Sequence, residues 1–516
     1  MHSEPILVVG AGPTGLLLAA ELARHGAPVR VVDRREGDCR ESRALGVQAG
    51  TLAMLDRVGL AEEFIARGQR VRGFSMWDGR RRLVRVDYGV LDCAHPFLLD
   101  IPQDETEAIL RDHLARLGVA VEGSTEVTGL TVSADAVEVA ARRPDGIREA
   151  IRASYVVGCD GAHSTVRREL AVPFDGAAYA GDWLLADVAI DWDRSPDDVH
   201  IFLNAEGRAA VLMPMRGGRW RVILYFAGEG GAEAGPPALE EVAGLLARRV
   251  PGPLSVSDPS WLARFRTHRR SAPLHRRGRV LLAGDAVHIH SPAGGQGMNT
   301  GLLDAHNLGW KLAAVAAGRA PDRLLDSYEA ERAPVARQVL GLTHGLVRLS
   351  SMTAPWQRAA RAAALPLAAR LPGMRSRAAL RMSQLSVHYR SGPLSAGAGR
   401  GFGGGPLAGD RAPDAAGLVH GGRPARLHEL LRDPRHTWLV MGGAGSCPRP
   451  DVAGVRRLVL ASPGDAGSDG PDVAVDARGE ARRRYGAGRV YLVRPDGYVA
   501  ARGREAIEAY LRRVSA

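Results

Sequence analysis

The sequence predicts an α/β fold, and three stretches predict it. Each runs from a short apolar strand through a glycine turn into a helix: Ile6-Leu7-Val8-Val9 into Gly10 to Gly15, Tyr155-Val-Val-Gly158 into Asp160-Gly161, and Val280-Leu281-Leu282-Ala283 into Gly284-Asp285. Repeated strand–turn–helix units bury their strands on both faces and favour a parallel sheet. Between the second and third units, alternating apolar and polar runs predict a different sheet with one buried face.

The first unit is a GxGxxG turn, Gly10-Ala-Gly12-Pro-Thr-Gly15, opening the helix from Leu16 to His25. Alone it matches any βα turn with incidental glycines. Val29 to Val32 then forms a second strand ending in Asp33, at the spacing where an acid meets the ribose hydroxyls of a bound dinucleotide. That acid points to a ribose without a 2′-phosphate. Arg34 and Arg35 follow it, as suits NADP, but also the pyrophosphate of FAD.

The second unit, Tyr155 to Arg168, places Asp160 where strand becomes helix and Ser164 near the helix start. Read locally, it is a βα junction with a good cap. In the third, Asp285 stands at the carboxyl edge of a buried strand, where a carboxylate can accept from sugar-alcohol hydroxyls. Pro292 stiffens the loop beyond it, and Gly294, Gly295 and Gly297 bring backbone N–H groups close to a flat anionic ligand at the start of a helix. Met298 and Asn299 begin that helix, whose run TGLLDAHNLGWKLAAV is amphipathic.

These units divide the chain. A discontinuous nucleotide-binding domain is expected over 1–71, 98–174 and 271–390, the last with a helical extension, and a β-sheet substrate domain over 72–97 and 175–270. In the latter, strands are read at Trp183 to Ile190, Val199 to Phe202, Ala210 to Pro214 and Trp220 to Phe226. Trp183, Phe202, Met213 and Tyr225 are candidate pocket lining, against the plain alternative that each is sheet core. The glycine-rich 391–409 reads as a linker, and 410–516 alternates helix and strand as a further domain.

Composition bounds the function. With 516 residues the chain exceeds one ordinary domain, and no apolar run approaches the roughly 20 residues that span a bilayer. Cys39, Cys93, Cys159 and Cys447 form no CxxC pair, which suggests a reducing, cytoplasmic setting rather than a disulfide framework or a metal site. The formal net charge is +11. Lys311 is the sole lysine, so the basicity is arginine spread along the chain, with no aromatic-interleaved stripe. Neither nucleic-acid nor membrane partners are expected on this ground.

Together, Gly10 to Gly15, Cys159-Asp160-Gly161 to Arg167, and Gly284-Asp285 to Asn299 resemble the single-component FAD-dependent aromatic monooxygenases of the para-hydroxybenzoate and phenol hydroxylase family. The chain looks most like the branch with bacterial aromatic-polyketide hydroxylases, through Ser42 to Gln48, Pro102-Gln103 to Glu107 and Leu492 to Gly497. The resemblance covers nearly the whole chain. It implies a Rossmann-like FAD domain of the para-hydroxybenzoate hydroxylase type, an inserted β-sheet substrate domain and a thioredoxin-like C-terminal domain. That last domain holds only Cys447, which excludes dithiol chemistry and leaves packing or contact in a homodimer.

The resemblance also implies roles. Gly10, Gly12, Gly15, Asp33, Arg34 and Arg43 would hold the adenosine and pyrophosphate end, Gln103 and Asp285 the ribityl chain, and Pro292 to Asn299, with Gly295, Gly297 and Met298, the isoalloxazine. Asp160 would serve FAD and NADPH. The implied reaction is hydroxylation of a phenolic or polycyclic polyketide by a C4a-hydroperoxyflavin, formed from NADPH or NADH and O2, with Pro292 and Gly295 on the reacting side. No second GxGxxG fold, a strand leading through the turn into a helix, appears for the reductant, as in the resembling enzymes, where it docks transiently.

His288 is a candidate general base, against a local hydrogen-bonding role. Arg216 and Arg221 could pair an enolate, although exposed sheet arginines are commoner. Two other outcomes fit the same residues: Baeyer–Villiger insertion at a ketone, and a nucleotide-fold protein that only sequesters a ligand. A halogenase is disfavoured, because Lys311 is poorly placed for one and no WxWxIP segment occurs.

Overall fold

The computed structural model describes residues 4–37, 43–203, 209–227, 235–352, 354–395, 404–442, 452, 454–465 and 470–515. The predicted strand–turn–helix units assemble one six-stranded sheet. Ile6–Val9 lies at its centre, parallel to Tyr155–Gly158 on one side and Val29–Val32 on the other. Val280–Leu282 and Val121–Glu122 extend it in parallel, and Arg276–Arg277 closes one edge antiparallel.

The helix Pro13–Arg24 starts with proline in its first turn, where a missing N–H costs no bond. It packs closely on Gly297–Ala316. A Cβ at Gly301 would lie 2.3 Å from Thr14 Oγ1, and one at Gly309 would lie 2.5 Å from Glu21 Cβ. Two glycines on one helix thus let the first and third motifs meet.

The inserted sheet has eight strands. Asp175–Asp191 and Ser255–Ser271 pair along its length, and Arg219–Ala227, Ala210–Pro214, Asp198–Phe202, Gly73–Asp78 and Arg81–Asp87 follow in spatial order. Strand alternation sends side chains to two faces. Leu184, Ala186, Phe202, Leu212 and Trp220 pack one face under the helix Leu239–Arg249, through Val242, Leu245 and Leu246. Trp183, Leu185, Met213, Ile223 and Tyr225 form the other face, toward the glycine loop.

Three features were not anticipated or lie elsewhere. A three-stranded antiparallel sheet, Glu126–Val132, Val137–Arg142 and Arg148–Ala153, hangs from the first domain, and a small sheet joins Gly46–Val47, Leu98–Asp100 and Gln69–Val71. Much of the expected linker, residues 396–403, lies outside the described residues, as do Cys39, Ser42 and Cys447.

After the helices Asp326–Ser350, Pro355–Arg370 and Met374–Met382, the C-terminal segment forms a seven-stranded sheet. Its centre is the parallel pair His436–Met441 and Val455–Ala461. This sheet shares a core with the first domain, since Trp438, Leu492 and Tyr510 pack in the same cluster as Leu302 and Trp310.

Candidate flavin cleft and substrate cavity

The three glycines of the first motif do different work. A Cβ at Gly15 would lie 1.9 Å from Gly10 O, and one at Gly10, where φ is +102°, would lie 2.5 Å from Cys159 O. Both are required by the protein's own backbone. A Cβ at Gly12 would meet nothing within 4 Å. Gly12 therefore leaves room for a ligand at a helix N-terminus that carries no acid in its first turn.

Asp33 braces this turn: Ala11 N donates to its Oδ2 at 2.6 Å and Arg35 N to its Oδ1 at 2.7 Å. Arg34 is exposed just beyond it. Gln103 accepts from Ala44 N at 3.1 Å and donates to Glu107 at 3.0 Å, fixing the loop that carries the exposed Arg43.

Asp160 accepts from Thr165 N and Val166 N through Oδ2, while its Oδ1 is buried with no partner in the structure. Ser164 caps the helix by accepting from Arg167 N at 2.9 Å. Arg167 in turn donates to Ala286 O at 2.9 Å, tying the second motif to the third. Asp285 is exposed beyond the end of its strand.

The glycine loop turns on Gly295 N donating to Pro292 O at 3.0 Å, with φ of +80° at Gly294 and +59° at Gly295. Asn299 clamps it to a second loop. Its Nδ2 donates to Gly295 O and Gly46 O, and its Oδ1 accepts from Gln48 N at 2.8 Å. Gln48, quoted only as part of a motif, proves central: Nε2 donates to Gly294 O, and Oε1 is buried without a partner. Gly297 lies beside the His290 ring, and Met298 is half-buried against the main core. An open Gly12, a positive-φ loop and unpaired acceptors at Gln48 and Asp160 fit a flavin dinucleotide along this cleft.

His288 does not face the cavity. It is buried, with Nε2 2.8 Å from Asp304 Oδ2. Burial alone would raise Asp304, but Arg332, 2.6 Å from its Oδ1, together with His288, holds it well below the usual carboxylate range. The general-base expectation is thus replaced by a structural ion cluster under the loop. Arg221, expected either to pair an enolate or to be an exposed sheet arginine, is fully buried, holds Asp187 through two bonds of 2.7 and 2.6 Å, and donates to Arg43 O and Ala44 O. Arg216 is exposed and bonds Ala66 O.

Between the inserted sheet and the glycine loop lies an apolar cavity. Trp183, Met213 and Tyr225 line it with Phe74, Tyr88 and Leu98, and Pro292, Gly294 and Gly295 form its floor. The rings of Trp183 and Tyr225 sit 4.9 Å apart. Phe202 is a correction. Its neighbours Val199 and Ile201 line the cavity, so parity sends Phe202 to the opposite face, against Trp77 and Trp192. Trp183 Nε1 is a buried donor with no partner in the structure.

Asp100 was missed because nothing in LLDIPQD separates it from a turn acid. It sits two residues beyond cavity-lining Leu98, on the same side of the strand, and its Oδ1 would lie 3.5 Å from a Cβ at Gly46. Neither carboxyl oxygen has a partner in the structure, and burial pushes the group well above the usual range, only partly opposed by Arg221.

Residues 3–343 match the FAD binding domain family, and residues 405–516 the aromatic-ring hydroxylase C-terminal family. The chain is 39% identical over 519 residues to a 6-methylpretetramide 4-monooxygenase of Streptomyces rimosus, covering 96% of this chain and 90% of that one. It is 33% identical to a pentachlorophenol 4-monooxygenase of Sphingobium chlorophenolicum, with 96% and 93% covered. The solved structure of an anhydrotetracycline hydroxylase from Streptomyces rimosus superposes with a TM-score of 0.79 at 32% identity, over 99% of both chains. The paired domains, the cleft and this whole-length similarity place the chain in the family of FAD-dependent aromatic-ring hydroxylases, and it is a flavin-dependent monooxygenase.

Proposed function

We propose that the protein hydroxylates a phenolic or polycyclic aromatic polyketide, using FAD reduced by NADPH or NADH, and O2. The observation that carries this reading is the apolar cavity whose floor is the flavin loop itself, Pro292 to Gly295. Bound FAD would supply the activation of dioxygen. Gly12, Asp33, Arg34, Arg43 and Asp160 would hold its dinucleotide portion, Gln103 and Asp285 its ribityl chain, and Gln48 with Pro292 to Asn299 its ring. Trp183, Met213 and Tyr225 position a flat substrate over that loop and exclude water, which protects a reactive oxygen donor from hydrolytic loss.

Ring hydroxylation is preferred to Baeyer–Villiger insertion because the matching C-terminal family is that of aromatic-ring hydroxylases and the solved relative is an anhydrotetracycline hydroxylase. The C-terminal domain would serve as a packing element, with pairing into a homodimer as its further role.

The test is the absorbance spectrum of the purified protein, followed by anaerobic NADPH with and without polycyclic phenols. Flavin bleaching accelerated by a phenol is expected. A protein that stays colourless after FAD reconstitution would overturn the reading.

A further inference from the structure

The helix Pro355–Arg370 is amphipathic in an unusual sense, because its solvent face is the apolar one. Its exposed positions are Trp356, Ala359, Ala360, Ala363, Ala364 and Leu367 at helical spacing, bracketed by Pro355 and Arg370. Trp356 is 72% exposed and Leu367 64%. The inner face is mixed: Ala362 and Leu365 pack against the sheet edge at Met76 and Leu83, and the buried Arg361 donates to Leu349 O. The surface continues past the helix through Leu371, 53% exposed, and Met374 and Leu380. Five of the nine large hydrophobic side chains exposed among the described residues fall between Trp356 and Leu380.

The charge around this patch has one sign. No Asp or Glu occurs between Glu331 and Asp410, whereas eleven arginines do, and Arg370, Arg375, Arg377 and Arg381 are exposed beside the apolar stripe. The chain leaves the cavity wall at Ser350, builds these two helices, and returns to it at Met382.

We propose that Pro355–Arg370 and the Leu371–Arg381 segment form a docking surface for an anionic lipid bilayer, at the side of the cavity through which an apolar aromatic substrate would enter. Tryptophan and leucine flanked by arginine suit the headgroup boundary, where apolar burial adds to attraction for lipid phosphates. A second copy of the chain would set arginine against arginine with no acid from this segment to answer it. The alanine stripe offers a protein partner no side-chain hydrogen bond. No described helix is long and apolar enough to cross a membrane, so the contact would be peripheral.

Flotation of the FAD-loaded protein with phosphatidylglycerol/phosphatidylcholine vesicles tests this, with pure phosphatidylcholine alongside. The expected result is recovery with the anionic vesicles, at least tenfold less with neutral ones, and release by salt. Trp356→Ala/Leu367→Ser should abolish recovery while bound flavin is kept, and Arg375→Ala/Arg377→Ala should weaken it. A wild-type protein that stays in the soluble fraction with anionic vesicles overturns the proposal, whatever the variants do. So does a solution dimer that Trp356→Ala dissociates.

Discussion

Arg494, in the turn that joins the last two strands of the C-terminal domain, Val490–Val493 and Val499–Arg502, forms two hydrogen bonds of 2.6 and 2.9 Å with Glu331, on the long helix of the FAD domain. Neither side chain is exposed. Lys311 and Asn307 each reach the same carboxylate at 2.8 Å, and Asp496 pairs with Arg494 from behind. Five polar groups thus join two domains by direct contact.

Removing one member of such a cluster leaves the others charged and buried, so Arg494→Met should cost about 3–5 kcal/mol. Arg494→Lys should recover little, since a point charge cannot make both bonds. Thermal unfolding would check both variants.

The same cluster sets an acid limit. Burial alone would raise Glu331, but Arg494 and Lys311 bring it down to about 2. Its folded value lies below its ordinary one, so its contribution is fully present above about pH 4.5 and fades as pH falls toward 2. Glu331→Gln should lower stability near neutrality and flatten this acid limb. A denaturant series from pH 2 to 7 would show the slope.

Gly12 and Gly15 should separate binding from folding. Gly12→Val fills space that only a ligand needs, and is expected to weaken FAD retention at least tenfold with little change in unfolding of the apoprotein. Gly15→Ala collides with Gly10 O and should impair the fold itself. Flavin content and apoprotein melting distinguish the two.

Phe202 and Trp183 make a second contrasting pair. Phe202→Ala removes a buried ring far from the cavity and should cost about 3–5 kcal/mol, with KM nearly unchanged. Trp183→Ala should raise KM for a polycyclic phenol and increase uncoupled NADPH oxidation, because it opens the cavity wall. Steady-state kinetics with peroxide detection would tell them apart.

Asp100 carries a pH signature of opposite sign. Its folded value is raised, so it weakens the fold increasingly as pH climbs from about 4. Asp100→Asn should stabilise the ligand-free protein at pH 7 by about 1–3 kcal/mol. Melting curves at pH 5 and 8 should converge in the variant.

The motifs were legible because local chemistry dictates them: a glycine without room for a Cβ, or an acid at a strand end, leaves a mark in the sequence. The alternating runs likewise gave the strands of the inserted sheet. Which face met the cavity was not legible, because parity fixes that Val199 and Ile201 face together but not toward what, and the larger Phe202 drew the assignment to the wrong side. His288 and Arg221 were read from their chemistry alone. Their partners, Asp304 and Asp187, lie 16 and 34 residues away, and only the fold brings them together. Gln48 and Asp100 owe their interest to missing partners, a property of packing that no local pattern encodes.

The burial of Lys311 has a practical corollary. It is the chain's sole lysine, it has no exposed surface, and burial brings its ammonium down to about 8. Amine-directed reagents therefore find no lysine on the outside of the folded protein, and acylation cannot blunt its arginine charge. Any label that does reach the ε-amino group dates the moment when the two domains come apart.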